Sequence, residues 1–593
     1  MAVSPTLQRA MAAFQAKDLE ASEGLARQAY RLDPQDPNAW WMLGAVLSRR
    51  LKFAEATFFV EKALAAQPAD PERWVLKLQC MRFNKASDAQ VLEVAERAIA
   101  RFAGDSRFHA ARAGVLKNLN RYGDSIEAMR SAARIDGRAA SLLLLGTDLS
   151  GIGRHAEALP LVRPALEDIE TDPQQVGNAC FSANAWSELS AQQLFEMHRQ
   201  ITRRFERFVP LDLGPLTNTR DPSRRVRLGY MTGDAKQHSV AYFMDALLRY
   251  ADKSRFEVFL YRNVSKGDEL TKRFVAMAEH DRVLTGLNEE GAARLMRKDG
   301  IDVLIDLSGL TSGSGVWMLR SRVAPVQGNY LGYCNTTGIP RCDVRFVDDV
   351  TDPAPWADAL ATERLVRIPG GFLCYRPDDK LPASVDWQAQ PGALRLACFN
   401  AMHKWSSATY DLWARVLREV PGAALTLKAK PIDDPGVRAW VRGQFASRGV
   451  AEDRVELLGR TQGQGDHLSM YNRVDVALDP FPYNGTTTTC ELLTMGVPMI
   501  TLVGDRHCAR VGASINTMVG VPELNAQTPD DYVRIARELA DNPARLAGYR
   551  TTLRARTLAS PLCDGPGFVG RIEAQYARLW QEWCEGRQVG NVP

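Results

Sequence analysis

The chemistry in this chain is densest between Asp475 and Pro498. There an apolar strand-like run leads into Asp-Pro-Phe-Pro-Tyr-Asn-Gly and then into four threonines, Thr486 to Thr489, that open a helix-length segment. The first turn of a helix has backbone N–H groups without intrahelical acceptors and carries the positive end of the helix dipole. Asn484, Gly485, Thr486, Thr487 and Thr488 are therefore suited to hold an anion, most naturally a diphosphate. The competing reading is a threonine that only caps its own helix. No G-x-G-x-x-G follows a strand and no G-x-x-x-x-G-K-[ST] occurs, so dehydrogenase and P-loop readings lose their main support. Ten cysteines without a C-x-x-C pair or zinc spacing predict a reduced, cytoplasmic protein with no structural metal.

These residues need a scaffold, and from Val226 onward the chain alternates short apolar runs with helix-length segments. VRLGYMT, FEVFLYR, DVLIDLSG, VQGNYLGY and RFVDDV come first, followed by LRLACFN, ALTLKAK, RVELLGR, VDVALDP and PMITLVG. Strands without polar alternation predict parallel sheets covered on both faces, and the Pro/Trp/Asp-rich stretch near 376–393 divides them into two doubly wound lobes. Ligands of such sheets sit at the carboxyl ends of the strands. Ahead of them a 34-residue period runs through Trp40, Trp74, Phe108 and Leu142, with Pro34/Pro68 and Pro37/Pro71 in step. That unit resembles the tetratricopeptide repeat, whose stacked helix pairs offer a surface to a protein partner. The alternative is four amphipathic pairs forming a plain helical domain. The expected organisation is a repeat array at 1–170, a helical linker at 171–222, lobes at 223–385 and 386–565, and a terminal helix and tail at 566–593. The terminal helix is placed to reach back to the first lobe.

Size and charge narrow the possibilities. At 593 residues the chain can bury several cores, and 74 Lys plus Arg against 70 Asp plus Glu leave +4, too little to predict a nucleic-acid or anionic-membrane surface. The N-terminal stretch does not read as a signal peptide, and no run of about 18 uncharged apolar residues predicts a membrane span.

The segment Leu478 to Ser514 closely resembles the donor-binding region of the SPINDLY and O-GlcNAc transferase family. Gly229–Asp234 with His238–Phe243, Asp306–Gly313, Val326–Tyr333 with Thr336–Gly338, Asp343–Pro353 and Phe399–Lys404 keep the family's order. The resemblance covers about 224–585 and implies a GT-B glycosyltransferase that inverts the anomeric centre, needs no metal or other cofactor, and moves a sugar from a nucleotide sugar to a protein Ser or Thr. It places Lys404 on the donor phosphate, Gly485 to Thr488 on the diphosphate loop, and Glu491 near a ribose. It aligns His467, less closely, with a base-contacting histidine, and puts His238 between donor and acceptor as general base or orienting group. Asp306 and Asp343 are open between function and packing. Leu310 and Ala401 stand where the family carries polar groups near the sugar, so N-acetylglucosamine, fucose and a CMP-linked nonulosonic acid all stay open. Flagellin-modifying relatives share the domain order and make flagellin one acceptor to consider. The alternatives are an N-linked or small-molecule transferase, or a non-catalytic scaffold with degenerate lobes.

Overall fold

The computed structural model describes residues 3–591 except 17, 208, 265, 312, 378–380, 384–386, 388–393 and 462. The expected lobe boundary at 385/386 lies outside the described residues. The chain forms two compact units, Met1–Leu145 and Gly146–Pro593.

The first unit is a run of antiparallel helix pairs, beginning with Pro5–Gln15 and Leu19–Leu32, whose repeat is visible atom by atom. Trp40 and Trp74 are buried, and each indole N–H donates to the carbonyl six residues earlier, Pro34 at 3.0 Å and Pro68 at 2.9 Å. Phe108 in the same register is fully buried. Pro34 and Pro68 follow the helices Leu19–Leu32 and Phe53–Ala66, while Pro37 and Pro71 open the next ones: each is the first residue after a capping aspartate, Asp36 or Asp70. Proline is well tolerated there because its missing N–H has no intrahelical acceptor anyway. A Cβ on Gly44 would meet Val60 Cγ2 at 2.6 Å, so only glycine lets the two helices of that pair approach so closely. Three repeat lengths further on, Gly146 faces Val162 in the same way, with a Cβ contact of 2.3 Å. Helices Ala139–Gly151 and His155–Ala165 thus keep the repeat's packing, yet they fall largely in the second unit. The compact units part at 145/146, earlier than the array end expected at 170.

The second unit holds two parallel sheets. Seven strands, β1 Val226–Thr232, β2 Phe256–Arg262, β3 His280–Val283, β4 Val303–Asp306, β5 Val326–Asn329, β6 Val344–Val347 and β7 Arg364–Arg367, run in the order β3-β2-β1-β4-β5-β6-β7. Six more, β8 Leu394–Cys398, β9 Ala423–Lys428, β10 Val455–Leu458, β11 Val476–Leu478, β12 Met499–Leu502 and β13 Asn525–Ala526, run β10-β9-β8-β11-β12-β13. Both sheets reverse direction beside their first strand, between β1 and β4 and between β8 and β11, the arrangement of a dinucleotide-binding fold repeated twice. The helix Gly565–Cys584 returns to the first lobe, where Tyr576 is buried against Tyr230, Phe256 and Phe346, and Glu582 pairs with Arg364 at 2.8 Å. The lobes meet through His507 and Asp352 at 2.5 Å and through Ser514 Oγ donating to Asp348 at 2.6 Å.

Residues 171–205 lie against both lobes. Phe181 packs among Tyr333, His403 and Tyr483, Asn184 bonds to Tyr333 and Asn335, and the Arg506 guanidinium donates to the carbonyls of Trp186 and Leu189. This segment supports the site from behind.

Candidate functional site at two switch points

The residues singled out in the sequence gather where each sheet changes direction. Leaving β8, the chain passes Asn400 and enters a 3₁₀ turn, Met402–Lys404; leaving β11, it passes Asp479 and reaches Asn484 and Gly485. Two hydroxyls at the start of helix Ser407–Glu419 knit these loops together. Ser406 and Thr409 both donate to the Phe481 carbonyl, Thr409 also accepts from the Phe481 N–H at 2.9 Å, and Trp405 bridges Pro482. Lys404 Nζ donates to the Asn484 carbonyl at 2.7 Å and lies 4.4 Å from the Tyr483 ring centroid. Burial holds the Lys404 ammonium below its ordinary pKa, opposed by the charge of Asp479. An anion arriving here would favour the charged form.

Asn484 is buried and tied three ways: its N–H to the Cys508 carbonyl, its side-chain NH₂ to the Pro480 carbonyl at 3.0 Å, and its side-chain oxygen to the Gly512 N–H at 3.2 Å. Gly485 donates to Asp479 Oδ1 at 2.7 Å, and a Cβ there would fall 2.4 Å from Thr489 Oγ1 and 2.9 Å from Asn400 Oδ1. The helix Thr487–Thr494 follows with Thr486 at its N-cap, and no side-chain cap bond is made. Thr486, Thr487 and Thr488 are half-buried. A threonine that merely caps its own helix would bond the N–H two or three residues on, so this end is left for another acceptor. Asp479, missed in the sequence, is the hub. It is fully buried and takes the Gly485 N–H and the Thr501 hydroxyl, yet burial outweighs both bonds and pushes its carboxyl up to about 7. Its one sequence signal is its place as the first residue beyond an apolar strand entering a glycine-bearing turn.

Glu491 and His467 do meet. His467 Nε2 lies 3.2 Å from Glu491 Oε2, and its Nδ1 lies 2.8 Å from Lys428 Nζ, so an ammonium donating to Nδ1 leaves Nε2–H to face the carboxylate. Phe399 and Tyr471 flank that imidazole. Lys428, at the end of β9, was not anticipated, since a terminal strand lysine ordinarily reads as solvent-facing.

The first-lobe residues occupy the other switch point. β1 ends at Thr232 and leads through Asp234 to His238, whose side chain is 44% exposed; β4 ends at Asp306. Asp306 is fully buried, accepts from Gly309 N–H at 2.6 Å and Asn329 Nδ2 at 2.8 Å, and is pushed up to about 7, chiefly by burial. Asp343 is a packing residue held by both Arg322 nitrogens and the Gln327 N–H. Leu310 is buried beside Gly177, while Ala401 is exposed. Among the described residues His238 has no hydrogen bond to the donor lobe. Four residues beyond His238, the Tyr242 ring lies 5.9 Å from that of Tyr375, whose phenol is raised by burial and then by the charge of Glu491. Among the described residues no cluster of three or more His, Cys, Asp or Glu is placed to hold a metal ion, and no helix is long and apolar enough to cross a membrane.

A helical repeat leading into two Rossmann-like lobes, with polar loops at both switch points, defines a GT-B-like protein. The chain belongs to glycosyl transferase family 41, which matches residues 210–380 and 383–571. It is 36% identical over 429 residues to the probable UDP-N-acetylglucosamine–peptide N-acetylglucosaminyltransferase SPINDLY of Petunia hybrida, covering 70% of this chain and 45% of that protein. Identity to SPINDLY of Arabidopsis thaliana is likewise 36%, covering 70% and 46%. The chain thus spans less than half the length of these relatives. Among solved structures, a mutant O-GlcNAc transferase of Thermobaculum terrenum superposes with a TM-score of 0.69 at 27% identity, covering 98% of both chains.

Proposed function

We propose that this protein is an inverting, metal-independent O-glycosyltransferase that takes a nucleotide sugar at the second lobe and glycosylates Ser or Thr of a protein acceptor held by the helical repeats. The observation that carries this reading is the joining of Lys404 to the Asn484–Thr488 loop at an uncapped helix start, at the switch point of a family 41 chain. In this reading the phosphate of the donor receives Lys404 and the N–H groups of Thr487 and Thr488. Both stabilise charge that grows as the anomeric C–O bond breaks, which is the duty a divalent cation would otherwise perform. Glu491, with His467 and Lys428 behind it, supplies acceptors for ribose hydroxyls. His238 takes the proton of the attacking hydroxyl, which approaches the anomeric carbon opposite the departing phosphate and so inverts it.

Intact-mass analysis of candidate acceptors, flagellin among them, co-expressed with the enzyme tests the reading. A mass increase equal to one glycosyl residue, lost in Lys404→Ala, is expected, and its size names the sugar. Absence of nucleotide binding by calorimetry across UDP, GDP and CMP would instead leave a scaffold.

A further inference from the structure

His238 sits at a fork. Its Nδ1 accepts from the Val240 N–H at 3.3 Å and lies 3.5 Å from Asp234 Oδ1. The two neighbours demand opposite tautomers. The Val240 N–H needs a bare Nδ1, which puts the ring proton on Nε2; the carboxylate needs a proton on Nδ1, which leaves Nε2 bare. Asp234 is buried and anchored: its Oδ2 accepts from Ser308 Oγ at 3.1 Å, its own N–H donates to Thr232 Oγ1 at 2.9 Å, and Ser308 Oγ accepts from Gly233 N–H at 3.1 Å. One carboxylate oxygen is therefore tied to the end of β4 while the other faces the imidazole. Of the other charged groups around this loop, Lys236 is exposed, and the rest have partners away from His238. Asp268 accepts from the Gln237 and Thr271 N–H groups, and Arg273 and Arg376 pair with the buried Asp245.

We infer that Asp234 is a positioning residue for His238, drawing the ring proton to Nδ1 so that Nε2 becomes the bare nitrogen, while Val240 holds the alternative, resting tautomer. Reaching ordinary hydrogen-bond length from 3.5 Å takes a movement of about 0.5 Å, within the freedom of a half-exposed ring. The inference rests on the reading of His238 as the proton acceptor. In that step the acceptor O–H bond breaks and its proton forms a bond to Nε2. The oxygen forms its bond to the anomeric carbon, and the nucleotide leaves with the electron pair of the broken C–O bond. The resulting imidazolium keeps its Nδ1–H on Asp234.

Diethyl pyrocarbonate acylates a bare, accessible imidazole nitrogen, so its rate of reaction at His238, followed by peptide mass mapping at fixed pH, reads the tautomer without any acceptor. In Asp234→Asn the side-chain amide can donate to Nδ1 and favours the resting tautomer. The rate at His238 should fall about tenfold, the low end of what a charge-assisted hydrogen bond is worth. Ser308→Ala, which only frees the far oxygen, should lower it less, and Asp234→Glu should restore part of it. An unchanged rate in Asp234→Asn, in a protein with the wild-type melting temperature, overturns the inference. Should that variant not fold, an unchanged rate in both Ser308→Ala and Asp234→Glu overturns it as well. With an identified acceptor, kcat should fall in parallel with the labelling rate while nucleotide affinity holds. Full turnover in His238→Ala would overturn the role of His238 in the proposed reaction, whereas the labelling rates judge the fork separately.

Discussion

Gly485→Ala puts the donor loop to a quantitative test. The added methyl carbon would lie 2.4 Å from Thr489 Oγ1, about 1 Å inside ordinary van der Waals contact, and 2.9 Å from Asn400 Oδ1. Neither neighbour yields easily. Thr489 is a buried β-branched side chain resting on Met499, and Asn400 is buried two residues beyond β8. The loop must therefore move by roughly the overlap, carrying with it the Asn484 carbonyl that Lys404 grips and the Thr487 and Thr488 N–H groups. Overpacking of this kind costs about 1–3 kcal/mol of stability. A misplacement near 1 Å in a positioning loop costs about 100-fold, equivalent to ~2.7 kcal/mol, in what it positions. Calorimetry with whichever of UDP, GDP or CMP binds the unaltered protein, paired with a thermal melt, gives both quantities. A Gly485→Ala protein that binds that nucleotide within threefold of wild type would refute the placement of the phosphate on this loop.

Lys404→Ala should cost about 3 kcal/mol of transition-state stabilisation by analogy with the loss of one oxyanion donor, and turnover within a few-fold of wild type would remove it from the site. Activity should persist in excess EDTA; complete loss restored by Mg²⁺ or Mn²⁺ would contradict the cation role given to Lys404. For Asp479→Asn, the sign follows from a carboxyl raised to about 7 against an ordinary 3.8. Wild-type stability from this group is fully present below about 4 and is lost as pH rises through 7, so the variant's stability should gain on wild type by ~2 kcal/mol between pH 5 and 8, read as a growing difference in melting temperature; a constant difference would sink the assignment. Deleting residues 1–138, which spares the helix Ala139–Gly151, should leave nucleotide binding intact and abolish modification of a protein acceptor, whereas deletion through 170 should also destabilise the lobes, because Gly153, which lies against the Trp405 and Met402 carbonyls, and Ser150, which accepts from the Trp186 indole, go with it. Equal acceptor turnover in the shorter deletion would show that the repeats serve another partner.

What the sequence makes legible is what repeats or what breaks a pattern. The Trp40/Trp74 register, the apolar strands and the Asn-Gly-Thr-Thr run all declare themselves locally, because period, burial and turn chemistry are local properties. β3, with its sequence His-Asp-Arg-Val, escapes notice because an edge strand half in solvent has no apolar run to display, and β13 is only two residues long. The site is harder to read for a different reason. Asp479 looks like any strand-ending aspartate until Gly485 and Thr501 are seen bonded to it, and Lys428 like any surface lysine until His467 is seen against it. Phe181 and Asn184 give no sign in sequence of standing behind Lys404, more than 200 residues later. Where the family carries polar groups, Leu310 and Ala401 diverge in the structure, one buried beside Gly177 of the helix Pro173–Ala183 and one exposed, a difference that no local pattern encodes.

In the proposed site the grip of Lys404 and the helix N–H groups falls on phosphate, a part of the nucleotide sugar that is not transferred. After transfer the departing nucleotide keeps its phosphate and gains negative charge, so the same contacts hold the spent carrier at least as firmly as the loaded one. Under the proposed reaction, the enzyme is therefore slowed by its own by-product, and its pace follows the ratio of sugar-bearing to free nucleotide rather than the level of donor alone. A cell running this reaction at speed needs a hydrolase or kinase that clears the freed nucleotide.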